Sequence, residues 1–226
     1  MPACPGQVAM TAEPARSPVA GAVRSLEVRW IFPGPLEAAV ARWFARFPAT
    51  AESRVDAYLA DPPLPGLSVK IRGGGALEVK AYRGSPGILE VPGRARGRME
   101  TWHKWSFPVS PLSPGAGNPP GWRPVGKRRR TSRFPLASGQ IAARGAAPGE
   151  QPVCAVELTQ IRTGGQDWWT LGFEATGPAG LLRSTLAAAA AIVFAQALPG
   201  RMQPGPDQSR SYAQWLGQAP GPGSGR

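Results

Sequence analysis

Several stretches of this chain alternate charged and apolar residues at the two-residue period of a β-strand, and the charges carry both signs. Ser25-Leu26-Glu27-Val28-Arg29-Trp30-Ile31, Lys70-Ile71-Arg72, Leu77-Glu78-Val79-Lys80, Glu100-Thr101-Trp102-His103-Lys104, Val156-Glu157-Leu158-Thr159 and Thr170-Leu171-Gly172-Phe173-Glu174 all follow it. Residues two apart in a strand share a face. Glu27 therefore sits with Arg29, Lys70 with Arg72, and Glu78 with Lys80. One such strand reads as the solvent face of an ordinary antiparallel sheet. Repeated strand after strand with mixed charge, the pattern predicts one surface dense in carboxylates and cations. That surface is costly to bury dry and suits the wet lining of a barrel or groove that holds a multiply charged ligand.

The chain has 226 residues, enough for one domain with tails. Its net charge of +12 makes it a basic protein and points to anionic partners: nucleic acid, polyphosphate or phosphorylated metabolites. Residues 1–23 read as a disordered Pro/Ala tail, 24–198 as the folded domain, and 199–226 as a second Pro/Gly-rich disordered tail. The start lacks the pattern of a signal peptide. The apolar run Leu181 to Leu198 is interrupted by Arg183, Ser184 and Gln196 and reads as a soluble packing helix, not a membrane span. Cys4 and Cys154 are read as reduced, in a cytosolic, cytoplasmic setting, with a disulfide between them as the alternative.

The predicted elements are a strand at 24–32, a helix at 36–47, a short strand at 54–60, and a hairpin of 67–72 with 76–82. A loop at 84–97, a strand at 98–107, a basic strand within 122–134, and a second hairpin of 153–162 with 167–176 precede the 181–198 helix. The fold class is α+β: an antiparallel eight-stranded β-barrel or tunnel with covering helices. Gly73-Gly74-Gly75 reads as the first hairpin's turn, since no Walker pattern and no helix follow it. His103 is the chain's one histidine and alternates away from Glu100, Trp102 and Lys104. A histidine zinc site or a Ser-His-Asp triad therefore has little support.

The ordered series Glu27/Arg29, Asp56-Ala57-Tyr58, Lys70-Ile71-Arg72, Leu77-Glu78-Val79-Lys80, Lys104, Arg129 to Arg133, Glu157 and Glu174 resembles the CYTH superfamily, the triphosphate tunnel metalloenzymes. The resemblance spans about Ser25 to Thr176 and implies an eight-stranded antiparallel tunnel. It further implies a triphosphate or polyphosphate anion held by Arg29, Lys70, Arg72, Lys80, Lys104, Arg129 and Arg133. By the same resemblance Glu27, Glu78, Glu157 and Glu174 hold Mg²⁺ or Mn²⁺, with Glu27 and Glu174 as the catalytic pair. The activity implied is metal-dependent hydrolysis of a phosphoric anhydride. The residue types suit that chemistry, since Arg and Lys grip phosphate and hard Mg²⁺ takes oxygen ligands. The family's opening Glu-x-Glu-x-Lys reads Ser25-x-Glu27-x-Arg29 here, so the tunnel holds fewer carboxylates than a typical metal-dependent member.

Two other readings stand beside it. One is a non-enzymatic basic module for RNA or DNA, with bases stacking on aromatics such as Trp102 and Trp105. The other is a scaffold that keeps the barrel without catalysis, for which Ser25 in place of the first glutamate is the support. The oligomeric state is not legible.

Overall fold

A computed structural model of the chain describes residues 21–64, 66–73, 75–109, 120–135 and 151–218. Residues 1–20 of the tail expected at 1–23, with Cys4, the residues beyond 218, and most of the loops at 108–121 and 135–152 lie outside the described residues. Within them the chain forms nine strands: β1 Val23–Pro33, β2 Thr50–Leu59, β3 Leu67–Arg72, β4 Ala76–Tyr82, β5 Gly87–Val91, β6 Ala95–Pro108, β7 Trp122–Pro135, β8 Val153–Thr163 and β9 Gln166–Thr176. The helices are α1 Ala38–Phe44, α2 Leu182–Phe194 and α3 Tyr212–Gln218.

The sheet runs β1-β9-β8-β7-β2-β3-β4-β6-β5, and every pairing is antiparallel. A further ladder, Val23↔Lys104 to Glu27↔Glu100, joins β1 to β6 and closes an eight-stranded barrel. β5 stands outside the closure as a hairpin partner of the long β6. Closure removes the exposed edges that an open sheet would present.

Alternation decides what faces where. Leu26, Val28 and Trp30 of β1, Val156 and Leu158 of β8, and Leu171 and Phe173 of β9 point outward into one apolar cluster. That cluster is covered by Leu186, Ala190, Val193 and Phe194 of α2 and by Val40 and Phe44 of α1. The Ala run of α2 favours helix and lets its backbone approach the sheet closely. Trp30 is fully buried, meets Phe173 and Phe194 edge-on at centroid distances of 6.1 and 5.9 Å, and donates its indole N–H to Arg96 O at 2.9 Å. The apolar side is thus outside under helices and the charged side is inside, as the alternating pattern predicts. Among the described residues no helix is long and apolar enough to cross a membrane.

The structure departs from the sequence reading in four places. The loop expected at 84–97 holds β5, turning back to β6 at residues 92–94. The helix expected at 36–47 is the shorter α1. β2 begins at Thr50, extending the short strand to reach Glu52. The tail expected from 199 is folded through 218: two one-turn 3₁₀ segments lead to α3. Ser209 bridges to Trp30 and accepts the Arg98 backbone N–H at 2.8 Å, and the Arg210 N–H reaches Arg29 O at 3.1 Å. Trp215 and Leu216 then pack on Ile31, Tyr58, Val125 and Ile161, the inward positions at one end of the barrel. α3 caps that end. Its signal was the spacing of Tyr212, Trp215 and Leu216, hidden by the surrounding Pro and Gly.

Gly97 of β6 lies against Trp30: a Cβ there would stand 2.6 Å from Trp30 Cζ2 and 2.6 Å from Val28 Cγ2. Both neighbours are fully buried, so neither can give way cheaply. Gly97→Ala is expected to destabilise the protein by roughly 1–3 kcal/mol, as overpacking does, read as a lower urea midpoint at an unchanged slope.

Candidate functional site

The barrel interior has a basic wall and an acidic wall. The basic wall comes from β2, β3 and β7, where the registers Tyr58↔Lys70, Asp56↔Arg72 and Glu52↔Arg129 bring cations around two acids. Asp56 is fully buried and gathers three of them: Arg54 Nε at 2.8 Å, Lys127 Nζ at 3.0 Å and Lys70 Nζ at 4.0 Å. Lys127 also donates to the Tyr58 hydroxyl at 2.6 Å. Glu52 pairs with Arg54, with Arg129 at 2.6 Å and with Arg72 at 3.7 Å. Glu78, from β4, takes Lys70 at 2.7 Å and Arg72 at 3.2 Å.

The acidic wall comes from β6, β1, β9 and β8. Register sets Glu27 opposite both Glu100 and Glu174, so three carboxyl residues form a row across adjacent strands. Like charges directly opposite destabilise a sheet, and cations from neighbouring strands offset this. Lys80 Nζ lies 2.7 Å from Glu27 Oε1 and 3.7 Å from Glu174 Oε2, and Lys104 Nζ lies 3.6 Å from Glu174 Oε1. The Ser25 hydroxyl donates to Glu27 Oε1 at 2.6 Å. Glu157 of β8 binds Arg29 at 3.2 Å and Arg129 at 2.7 Å.

The electrostatics follow from this pairing. Burial alone would raise Asp56, Glu78 and Glu157; their cations overcome it and hold each carboxyl at about 2. Lys80 and, despite burial, Lys104 hold Glu174 below its ordinary value. Burial pulls Lys80 down, and Glu174 and Glu27 more than restore it, leaving it raised. Lys127 is lowered, by burial first, with Tyr58 and Asp56 opposing. Glu100 is raised by burial against a hydrogen bond from the Trp102 indole at 3.2 Å, and its other carboxyl oxygen, Oε1, is buried with no hydrogen-bond partner.

Glu27, Glu78, Glu100, Glu174, Lys80 and Lys127 line a cavity of about 80 Å³ with Arg29, Arg54, Lys70 and Arg129. Tyr212 of α3 closes it, its ring stacked on Tyr58 at 5.6 Å, 4.1 Å from Lys127 Nζ and 4.9 Å from Arg29 Cζ. The chain has four lysines, Lys70, Lys80, Lys104 and Lys127, and all four face this interior. Every exterior side-chain cation among the described residues that carries a fixed charge is therefore an arginine. Lysine is the compact, rotatable point charge of the two, with a strongly hydrated ammonium.

Of the residues expected at the site, the structure joins Arg29, Lys70, Arg72, Glu78, Arg129 and Glu157 in one ion-pair network through Glu52, and Glu27, Lys80, Lys104 and Glu174 in a second. Arg133 is apart from them, exposed near the end of β7, because that strand outruns the cavity. Sequence reasoning did not assign Arg54, Asp56, Lys127, Glu100 or Tyr212. For the first three the missed signal was the two-residue phase that sets Arg54 with Asp56 and Lys127 with Arg129.

The expected metal set is not assembled. Among the described residues no group of three or more His, Cys, Asp or Glu side chains is placed to hold a metal ion. Glu27, Glu78, Glu157 and Glu174 are each turned to a lysine or arginine, and Ser25 supplies a hydroxyl where the resemblance implies a further carboxylate. The carboxylate donor set does not fit resident Mg²⁺ or Mn²⁺, which need free oxygen ligands.

No family model matches the chain, and no curated protein matches it in sequence. Among the solved structures similar in shape are two of the S. pombe Pct1 RNA triphosphatase. The one in complex with the Spt5 CTD is 12% identical at a TM-score of 0.37, covering 78% of this chain and 80% of that one. The one without it is 12% identical at a TM-score of 0.36, covering 78% of each. Similarity at this level carries nothing about the interior side chains.

Two pH effects are expected. Asp56, Glu78 and Glu157 have folded pKa values depressed below their ordinary ones, so their contribution to stability is complete above about pH 4.5 and is lost as the pH falls toward 2. A urea midpoint measured from pH 7 downward should drop steeply only in that window. Glu100 has the opposite sign: its folded pKa is raised, so it costs stability as the pH climbs above 4.5. Glu100→Gln should melt higher than wild type at pH 7, with the difference shrinking toward pH 4.5.

Proposed function

We propose that the barrel binds an oligophosphate anion, a triphosphate or polyphosphate, on its basic wall, as a divergent relative of the triphosphate tunnel metalloenzymes. The observation that carries this reading is the convergence of Arg54, Lys70 and Lys127 on one buried carboxylate, Asp56. Arg54 and Lys70 are shared with Glu52 and Glu78, but across the connected network Arg29, Arg54, Lys70, Arg72, Lys127 and Arg129 face only Glu52, Asp56, Glu78 and Glu157, and a multivalent anion supplies the partners that these acids do not. Arg54, Arg72 and Arg129 can each present a planar fork to phosphate oxygens.

Binding requires rearrangement. Ligand pockets are typically of order 300–1,000 Å³, and the cavity is about 80 Å³. The Tyr212 ring and the cations now turned toward Glu78 and Glu157 are the groups that must give way. The anion competes with those carboxylates, so affinity falls with added salt. Turnover is a second arm of the reading, in which the interior cations stabilise charge on a transferring phosphoryl group. Phosphate release from tripolyphosphate measures it.

A second reading has an observation of its own. With the interior cations paired to carboxylates, much of the net charge lies outside as arginines such as Arg128 and Arg130, exposed on the outer face of β7. That surface suits a nucleic-acid backbone. Calorimetric titration of tripolyphosphate distinguishes the two. The wild type should bind, and Lys70→Glu should bind roughly tenfold more weakly or worse, since charge-assisted hydrogen bonds are lost, with an unchanged circular dichroism spectrum. Equal binding by both proteins would remove the anion from the interior. RNA binding with a steep salt dependence and no competition by tripolyphosphate would favour the exterior.

A further inference from the structure

We infer that Lys80 is the resident cation of the acidic wall, and that the barrel takes its oligophosphate anion without a divalent metal. The inference deepens the proposed function and rests on it for the anion, but the cation claim stands on the geometry of the wall.

The centre of the wall, between Glu100 and Glu157, is built as two like-charged pairs set against each other. Register places Glu27 beside Glu174 across β1 and β9, and Lys80 beside Lys104 across β4 and β6. Either pair alone would be repulsive. Together they form a closed set in which Lys80 Nζ touches both carboxylates and Lys104 holds the far oxygen of Glu174. Two negative charges meet two positive ones, and Ser25 contributes a neutral donor to Glu27. A divalent ion arriving here would find Glu27 Oε1 and both Glu174 oxygens already paired and would have to displace the Lys80 ammonium.

Lys80 does what a bound cation would do for this wall: it offsets the carboxylate charge on the inner surface of the barrel. It differs in being covalently attached, monovalent and a hydrogen-bond donor. Its three N–H groups are directed by rotation about the side chain, so it can keep Glu27 and still donate to an incoming phosphate oxygen. Its side chain also lines the cavity with Lys70 and Lys127 of the basic wall. An anion lodged there would be gripped from both sides by amines.

The test separates the cation from the anion. Free Mn²⁺ is followed by electron paramagnetic resonance as protein is added, with no anion present. The wild type should leave the Mn²⁺ signal undiminished. Lys80→Met keeps the length of the side chain but removes the ammonium, leaving Glu27 and Glu174 with Lys104 alone, and should take up Mn²⁺. Lys80→Arg keeps the charge and should behave as wild type. Uptake by the wild type, or no uptake by a folded Lys80→Met, would overturn the inference whether or not tripolyphosphate binds. Calorimetry then compares tripolyphosphate binding by the wild type in EDTA and in Mg²⁺. Affinities within about twofold, a difference of about 0.4 kcal/mol, are expected, and loss of binding in EDTA alone would overturn the inference. Absence of tripolyphosphate binding in both buffers would defeat the proposed function and leave the Mn²⁺ arm to decide the role of Lys80. Should Lys80→Met fail to fold, wild-type Mn²⁺ uptake and the EDTA comparison still decide it.

Discussion

Closure of the sheet through β1 and β6 is the constraint on which the rest depends. Once the ladder Val23↔Lys104 to Glu27↔Glu100 forms, every inward-facing charge shares one small interior. An unpaired charge there would be very costly, because its desolvation is offset only by close partners. The interior therefore pairs carboxylate with cation across strands, and alternation then forces the apolar residues outward. That in turn requires α1 and α2 to cover β1, β8 and β9. The Trp30–Phe173–Phe194 cluster outside and the Glu27–Lys80–Glu174 cluster inside are two consequences of the same strand period.

The same pairing sets the chemistry. Each interior cation already contacts a carboxylate, several of them sharing one, so a ligand must exchange partners with the barrel. The exchange is easiest where cations outnumber acids, around Asp56. It is hardest at Glu27 and Glu174, where Lys80 and Lys104 already match the two carboxylate charges. The two walls thus differ in that one shares several cations among fewer acids and the other pairs Lys80 and Lys104 with Glu27 and Glu174.

Much of this was legible in the sequence. The two-residue alternation of Glu27 and Arg29, Glu78 and Lys80, and Glu174 with Phe173 gave the inner and outer faces, and the Gly-rich turns placed the β3–β4 and β8–β9 hairpins. What was not legible depends on position across strands. Register, which alone puts Glu27 opposite Glu100 and Glu174, has no local signal. Arg133 shares the phase of Arg129, but only the path of β7 past the cavity separates them. α3 sits in a Pro/Gly-rich segment whose composition argues for a tail, and its helix is stabilised by burying Trp215 and Leu216 in the barrel end, not by propensity. The pairing of the expected metal carboxylates was not legible for a related reason: counting carboxylates along the chain does not reveal which lysine each one faces.

Because all four lysines line the barrel, their side-chain carbons report on the interior and nothing else. Protein labelled with ¹³C at lysine Cε, titrated with tripolyphosphate and followed by ¹H–¹³C correlation spectra, therefore tests the central claim directly. An oligophosphate held inside predicts that the lysine resonances move together and saturate with the calorimetric binding curve. Binding that leaves all four unmoved would contradict an interior site and put the anion on the arginines outside.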